Sequence, residues 1–217
     1  MFERNVDNYT LREQAALYRA TVAVCGLGGG GGWVAENLAR TGIGHFILID
    51  GDHYEESNRN RQIGALGSTL GRNKAEVMAE RLRDVSPYAR VESHAIFIAP
   101  ETGELLSKAD IVCDCVDGQN KRILLELAAG LRKPYCTGGL SGRNWQVAVF
   151  DDAARARGLY DASGTSLQAN PASLPACSGF QAQAVIDFLL ERINTPLNRV
   201  IRFNGYTCSF FVEDVHA

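Results

Sequence analysis

The sequence contains no C-x-x-C pair among its six cysteines, no apolar run approaching the ~20 residues of a membrane helix, and no block of like charge. Each absence excludes something. Cys25, Cys113, Cys115, Cys136, Cys177 and Cys208 are scattered, mostly within apolar segments, which argues against a zinc site built from paired cysteines. In a reducing compartment they read as small buried hydrophobes. Without a long apolar run there is no membrane span, and MFERNVDNYT is polar where a signal peptide would be apolar, so a cytoplasmic protein is predicted. Twenty-two Lys and Arg stand interspersed with 25 Asp and Glu, a formal net charge of −3, and no electrostatic footprint for nucleic acid is visible. No internal repeat is found. What is present is an ordinary globular composition, 217 residues with 46% hydrophobic content, enough to bury one substantial core in a single domain over 1–217.

Apolar periodicity sets out the elements. Residues 10–19 predict a short amphipathic helix capped by Thr10, and TVAVC at 21–25 a β-branched strand. A helix over 31–40 and the apolar strand HFILID at 45–50 complete a βαβ unit. The alternation continues with a helix over 72–84, strands over 90–98 and 109–117, a helix over 119–131, and strands entered at KPYCTG and at NWQVAVF, 144–150, the last with one exposed face. Strands separated by helices predict a doubly wound, mostly parallel α/β sheet covered on both faces. Residues 151–176 lose periodicity and read as a mobile crossover loop. The tail predicts a helix over 180–193 and a β-hairpin turning at Asn204-Gly205 in a type I′ turn.

Chemistry begins at CGLGGGGGW, 25–33. Gly26, Gly28 and Gly31 satisfy G-x-G-x-x-G after a strand and at a helix start, and Asp50 closes the next strand at about the ~20-residue spacing of a dinucleotide fingerprint. Small residues there let backbone N–H groups approach a phosphate at the positive end of a helix, and Asp50 can accept from ribose hydroxyls. Gly30 and Gly32 exceed what the fingerprint needs, at up to ~1 kcal/mol each relative to alanine inside a helix. On these residues alone a nicotinamide oxidoreductase is the default.

The following segment points elsewhere. GLGGGG at 26–31, with Gly29 among them, is followed by Asp50 and Asp52, by Ser57-Asn58 with Arg61-Gln62, by Gly71 with Lys74-Ala75, and by Asp114 with Asp117. In that order over 4–117 these motifs resemble the ThiF/MoeB/HesA family, bacterial relatives of ubiquitin-activating enzymes. Activating a carboxylate with ATP requires attack on the α-phosphate with loss of pyrophosphate, and cationic clamping plus a metal site is the protein's main contribution. Arg61 offers a forked donor and Lys74 a point charge. Asp117, at the carboxyl end of a strand, suits a Mg²⁺ carboxylate. Asn58 and Gln62 suit ribose and phosphate. The resemblance further implies that Asp50 takes the ribose and that Arg4 reaches the triphosphate of the other subunit in a homodimer.

It also implies an acceptor: the C-terminal glycine of a ubiquitin-like sulfur-carrier protein ending in Gly-Gly, as in thiamin and molybdenum-cofactor synthesis. Some members carry a crossover-loop cysteine; residues 151–176 have none, which leaves Cys177 at the loop's end as the candidate nucleophile and Cys136 as a lesser one. The lack of two C-x-x-C pairs marks a short, zinc-free variant. WVAENLARTGIGHFILID, NRNRQIGAL, KAEVMAERLR and CSGF also resemble the bacterial dehydratase that cyclises threonylcarbamoyladenosine in tRNA, an adenylating member of the same superfamily whose partner is tRNA.

Overall fold

A computed structural model describes residues 2–160, 167–192 and 195–215. Eight strands form one sheet: β1 (Thr21–Cys25), β2 (His45–Ile49), β3 (Arg90–His94), β4 (Ile111–Asp114), β5 (Tyr135–Ser141), β6 (Asn144–Phe150), β7 (Arg199–Asn204) and β8 (Ser209–Asp214), in the order β3-β2-β1-β4-β5-β6-β7-β8. The first five are parallel and the last three antiparallel. Among the described residues the helices are α1 (Leu11–Arg19), α2 (Gly29–Thr41), α3 (Lys74–Val85), α4 (Thr102–Ser107), α5 (Gln119–Gly130) and α6 (Ser173–Leu189).

The sheet is covered on both faces because its central strands are apolar at nearly every position, the buried Asp114 of β4 being the main exception. In β1, Val22 and Val24 pack into one core with α1, α2, α3 and α6, while Ala23 and Cys25 pack into the other with α4 and α5. Thr10 caps α1 in a capping box with Glu13. Gly42 ends α2 at φ +107. Between α2 and α3 the buried Glu36 accepts from Arg81 Nε at 2.6 Å and from Arg40 Nη2 at 2.7 Å.

Several expectations shift. Strand β3 stops at His94, since its neighbour β2 ends at Ile49 and gives 95–98 no ladder to join. Strand β6 is buried on both faces, Trp145, Val147 and Val149 in one core and Ala148 and Phe150 in the other. Within 151–176 a 3₁₀ helix covers Ala153–Leu159 and α6 starts at Ser173, with Asn170 Oδ1 accepting from Ala172 N and Ser173 N. Residues 161–166 lie outside the described residues. The β7–β8 hairpin forms, but not through a type I′ turn. Its four-residue loop runs Gly205 to Cys208, with Asn204 Oδ1 accepting from Tyr206 N and Thr207 N and Cys208 taking the left-handed position at φ +54.

Candidate functional site

The chain runs β1 to β2 to β3 in one direction and then returns to place β4 on the other side of β1, so the switch in strand order lies between β1 and β4. Open α/β sheets hold their ligands outside the carboxyl ends of such strands. A cavity of about 280 Å³ opens there, walled by Gly26, Gly28, Gly29, Asp50, Asp52, Arg61, Gln62, Lys74, Asp117 and Cys177 among others. Ten sequence-predicted residues thus meet in one place, and Gly31, Asn58 and Arg4 do not line it.

The glycines divide by what a side chain would meet. At Gly31 a Cβ would fall 1.8 Å from Gly26 O, and at Gly26, with φ +84, it would fall 2.5 Å from Cys115 O. Backbone packing between β1, α2 and the turn after β4 requires these two. At Gly28 the nearest atom would be Gln62 Nε2 at 3.5 Å, and at Gly30 it would be Ser178 Oγ at 3.9 Å. Gly28 caps α2 and has no side chain to accept from the first-turn N–H groups, which leaves them facing the cavity at the helix's positive end.

Asp50 braces this turn. Its carboxylate accepts from Leu27 N and, at 2.9 Å, from Asp52 N, and burial raises its pKa against those two bonds. Each oxygen keeps a second lone pair. Asn73 caps α3 through Oδ1 and donates from Nδ2 to Asp50 O and Asp52 O, which places Lys74 at the cavity wall. The buried Lys74 ammonium meets Asp52, a mostly exposed carboxylate, at 3.3 Å. Such a pair is weak in water, and Lys74 remains available to a phosphate. Arg61 Nη1 donates to Ser57 O and Asn60 Oδ1 at the cavity mouth.

Gln62 is buried, yet its Oε1 has no hydrogen-bond partner. Asn58 is used locally instead: Oδ1 accepts from Glu55 N, and its backbone carbonyl accepts from Arg61 N and Gln62 N, so it shapes the turn that carries them. Asp117 stands exposed at the rim with no side-chain partner among the described residues. Arg4 lies in the 3₁₀ turn Glu3–Asn5, whose Asn5 side chain donates to Thr41 O at the far end of α2. A helix of 13 residues spans about 20 Å, so Arg4 does not reach this chain's own glycine turn. Cys177 sits inside α6 with Sγ 3.9 Å from Gly139 O, and burial pushes its thiol up to about 12.

Sequence reasoning missed the ionic cluster beneath the rim. Asp114, fully buried, accepts from Lys121 Nζ at 2.9 Å, Thr137 Oγ1 at 2.9 Å and Tyr160 OH at 2.6 Å. An acid inside an apolar strand was the available signal, because a buried carboxylate needs a partner. Gln181 on α6 adds a second link, donating to Asp114 O and Cys136 O.

The sequence profile of the ThiF family matches residues 2–217. The chain belongs to the ThiF family. It is 42% identical over 111 residues to the tRNA threonylcarbamoyladenosine dehydratase of Haemophilus influenzae, a match covering 50% of this chain and 42% of that protein. It is 36% identical over 139 residues to the sulfur carrier protein adenylyltransferase of Thermus thermophilus, covering 63% and 51%. These matches cover about half of each relative's length. Among solved structures, the Escherichia coli tRNA N6-threonylcarbamoyladenosine dehydratase in complex with AMP superposes with a TM-score of 0.74 at 27% identity, covering 87% of this chain and 93% of that one. No helix among the described residues of this ThiF-family chain is long and apolar enough to cross a membrane.

Proposed function

We propose that this ThiF-family chain is an ATP-dependent adenylyltransferase that activates a carboxylate in the β1–β4 cleft. The carrying observation is Gln62 Oε1, buried and unpartnered beside Gly28, where an orphaned acceptor costs about 1–3 kcal/mol until a ligand donor meets it. The uncapped start of α2 and Lys74 fit phosphate at the same spot. The residues present also fit Mg²⁺, which usually takes one or two carboxylates plus substrate phosphates. Asp117 would supply the carboxylate; among the described residues no cluster of three metal-binding side chains competes with it. When bound, the ion neutralises charge on the leaving pyrophosphate.

In this reading a carboxylate oxygen bonds to the α-phosphorus, the bond to the bridging oxygen breaks, and pyrophosphate leaves. Arg61 and Lys74 hold the phosphates and Asp50 the ribose. Asp52 keeps Lys74 in place, and Arg4 serves the partner subunit of a homodimer, consistent with its distance from its own cavity. The acceptor is the C-terminal glycine of a ubiquitin-like sulfur carrier. Gly138 and Gly139 line the cavity on its β5 side, and the Thermus relative supports this acceptor. Cys177 lies buried within α6, and burial that pushes its thiol up to about 12 disfavours the thiolate a nucleophile needs.

One set of observations favours a second acceptor, threonylcarbamoyladenosine in tRNA: the 42% identity to the Haemophilus dehydratase and the fit to the AMP-bound relative. ATP–pyrophosphate exchange decides between them. Exchange that appears only with a Gly-Gly-ended carrier supports the first acceptor, and tRNA binding with a steep salt dependence supports the second. Tight NAD(H) binding without ATP binding, measured by calorimetry, would overturn both.

A further inference from the structure

Asp117 is exposed and has no side-chain partner among the described residues, so its position is set by the turn that carries it. That turn is braced from beneath. Asp114 Oδ1 accepts from Val116 N at 3.2 Å, and Oδ2 accepts from Lys121, Thr137 and Tyr160. Lys121 Nζ also reaches Val116 O at 3.4 Å and Gly138 O at 3.5 Å, and sits 5.7 Å from the centre of the Tyr160 ring. Cys115 N donates to Cys25 O at 2.9 Å, and Gly118 takes φ +64 so that the chain can turn straight into α5.

We propose that Lys121 and Tyr160 are positioning residues that act through Asp114 to hold Asp117 at the cleft. The proposal rests on the adenylyltransferase reading and extends it to residues that touch no nucleotide. Asp114 is a charge in a site closed to water, so its bonding geometry is fixed by the partners it has. Lys121 neutralises it and joins the carbonyls of β4's turn and of β5. Tyr160 supplies the short O–H bond from the end of the 3₁₀ helix. Loss of either lets the carboxylate rotate, frees Val116 N and shifts the turn. The effect falls mainly on the cation, because Asp50 braces the glycine turn from the β2 side through Leu27 N and the backbone bond from Cys115 N to Cys25 O still ties the two turns together.

The test compares wild type with Tyr160→Phe, Lys121→Gln and Asp117→Asn, with the fold checked by circular dichroism. ATP binding is measured by calorimetry in EDTA, and Mn²⁺ binding to the ATP complex by electron paramagnetic resonance. Tyr160→Phe and Lys121→Gln are expected to keep metal-free ATP affinity within about twofold while weakening Mn²⁺ roughly tenfold or more, the usual scale for outer-sphere partners. A purely structural role would lower the melting temperature and leave that split absent. Folded Tyr160→Phe with wild-type Mn²⁺ affinity, beside an Asp117→Asn that loses it, overturns this inference alone. Wild type that binds neither ATP nor Mn²⁺ overturns the adenylyltransferase reading and this inference together. If Lys121→Gln fails to fold, Tyr160→Phe decides.

Discussion

At the scale of single residues, the glycine run contains positions with opposite reasons to exist. Gly31 is fixed by its contact with Gly26 O, and alanine there is expected to destabilise by about 1–3 kcal/mol or more, as overpacking does. Gly30 meets nothing closer than Ser178 Oγ, so Gly30→Ala should stabilise by up to about 1 kcal/mol, the helix propensity gained. Thermal unfolding of the two variants checks both signs; equal shifts would contradict the contact geometry. The sequence showed the fingerprint but not this division, because a motif counts glycines while a fold assigns each a neighbour. Asn58 has the same lesson. Its chemistry suits a ligand contact, and its Oδ1 also accepts from Glu55 N in the turn that leads to Arg61.

At the scale of elements, strands buried on both faces were legible almost to the residue. TVAVC matches β1, since a short apolar run has no alternative placement, while NWQVAVF matches β6 in its bounds but not in its burial, because the alternation made by Asn144 and Gln146 suggests an exposed face that the fold covers. Boundaries set by neighbours were not legible. Strand β3 shortens for lack of a ladder partner, and α6 begins before Pro175, whose missing N–H falls among donors that have no intrahelical acceptor anyway. The α2–α3 contact gives a prediction at this scale. Burial raises the Glu36 pKa, but hydrogen bonds from Arg81 and Arg40 outweigh it and leave the group below the usual carboxylate value of 4.5. Its stabilisation is therefore fully present above that value and fades as pH falls through the lower folded pKa. Glu36→Gln should cost about 1–3 kcal/mol in urea unfolding at neutral pH, and the difference from wild type should close on acidification. A difference that widens toward low pH would contradict the assignment.

At the scale of the whole molecule, the sheet joins a parallel half that builds the cleft to an antiparallel half that ends in β8. The parallel half was readable as a class from the alternation of elements. The buried Asp114 cluster was not, because its members come from 114, 121, 137 and 160 and no local pattern links them. Among the described residues the last strand, Ser209–Asp214, has β7 as its one neighbour in the sheet and leaves Phe210, Phe211 and Val212 half exposed along the open edge. A row of unpaired backbone groups beside apolar side chains is a template for edge-to-edge growth. Val212→Lys is therefore expected to lower light scattering in concentrated solution without moving the melting temperature, and unchanged scattering would acquit the edge. On this expectation the solubility limit of the molecule rests on the six residues of β8, remote from its chemistry.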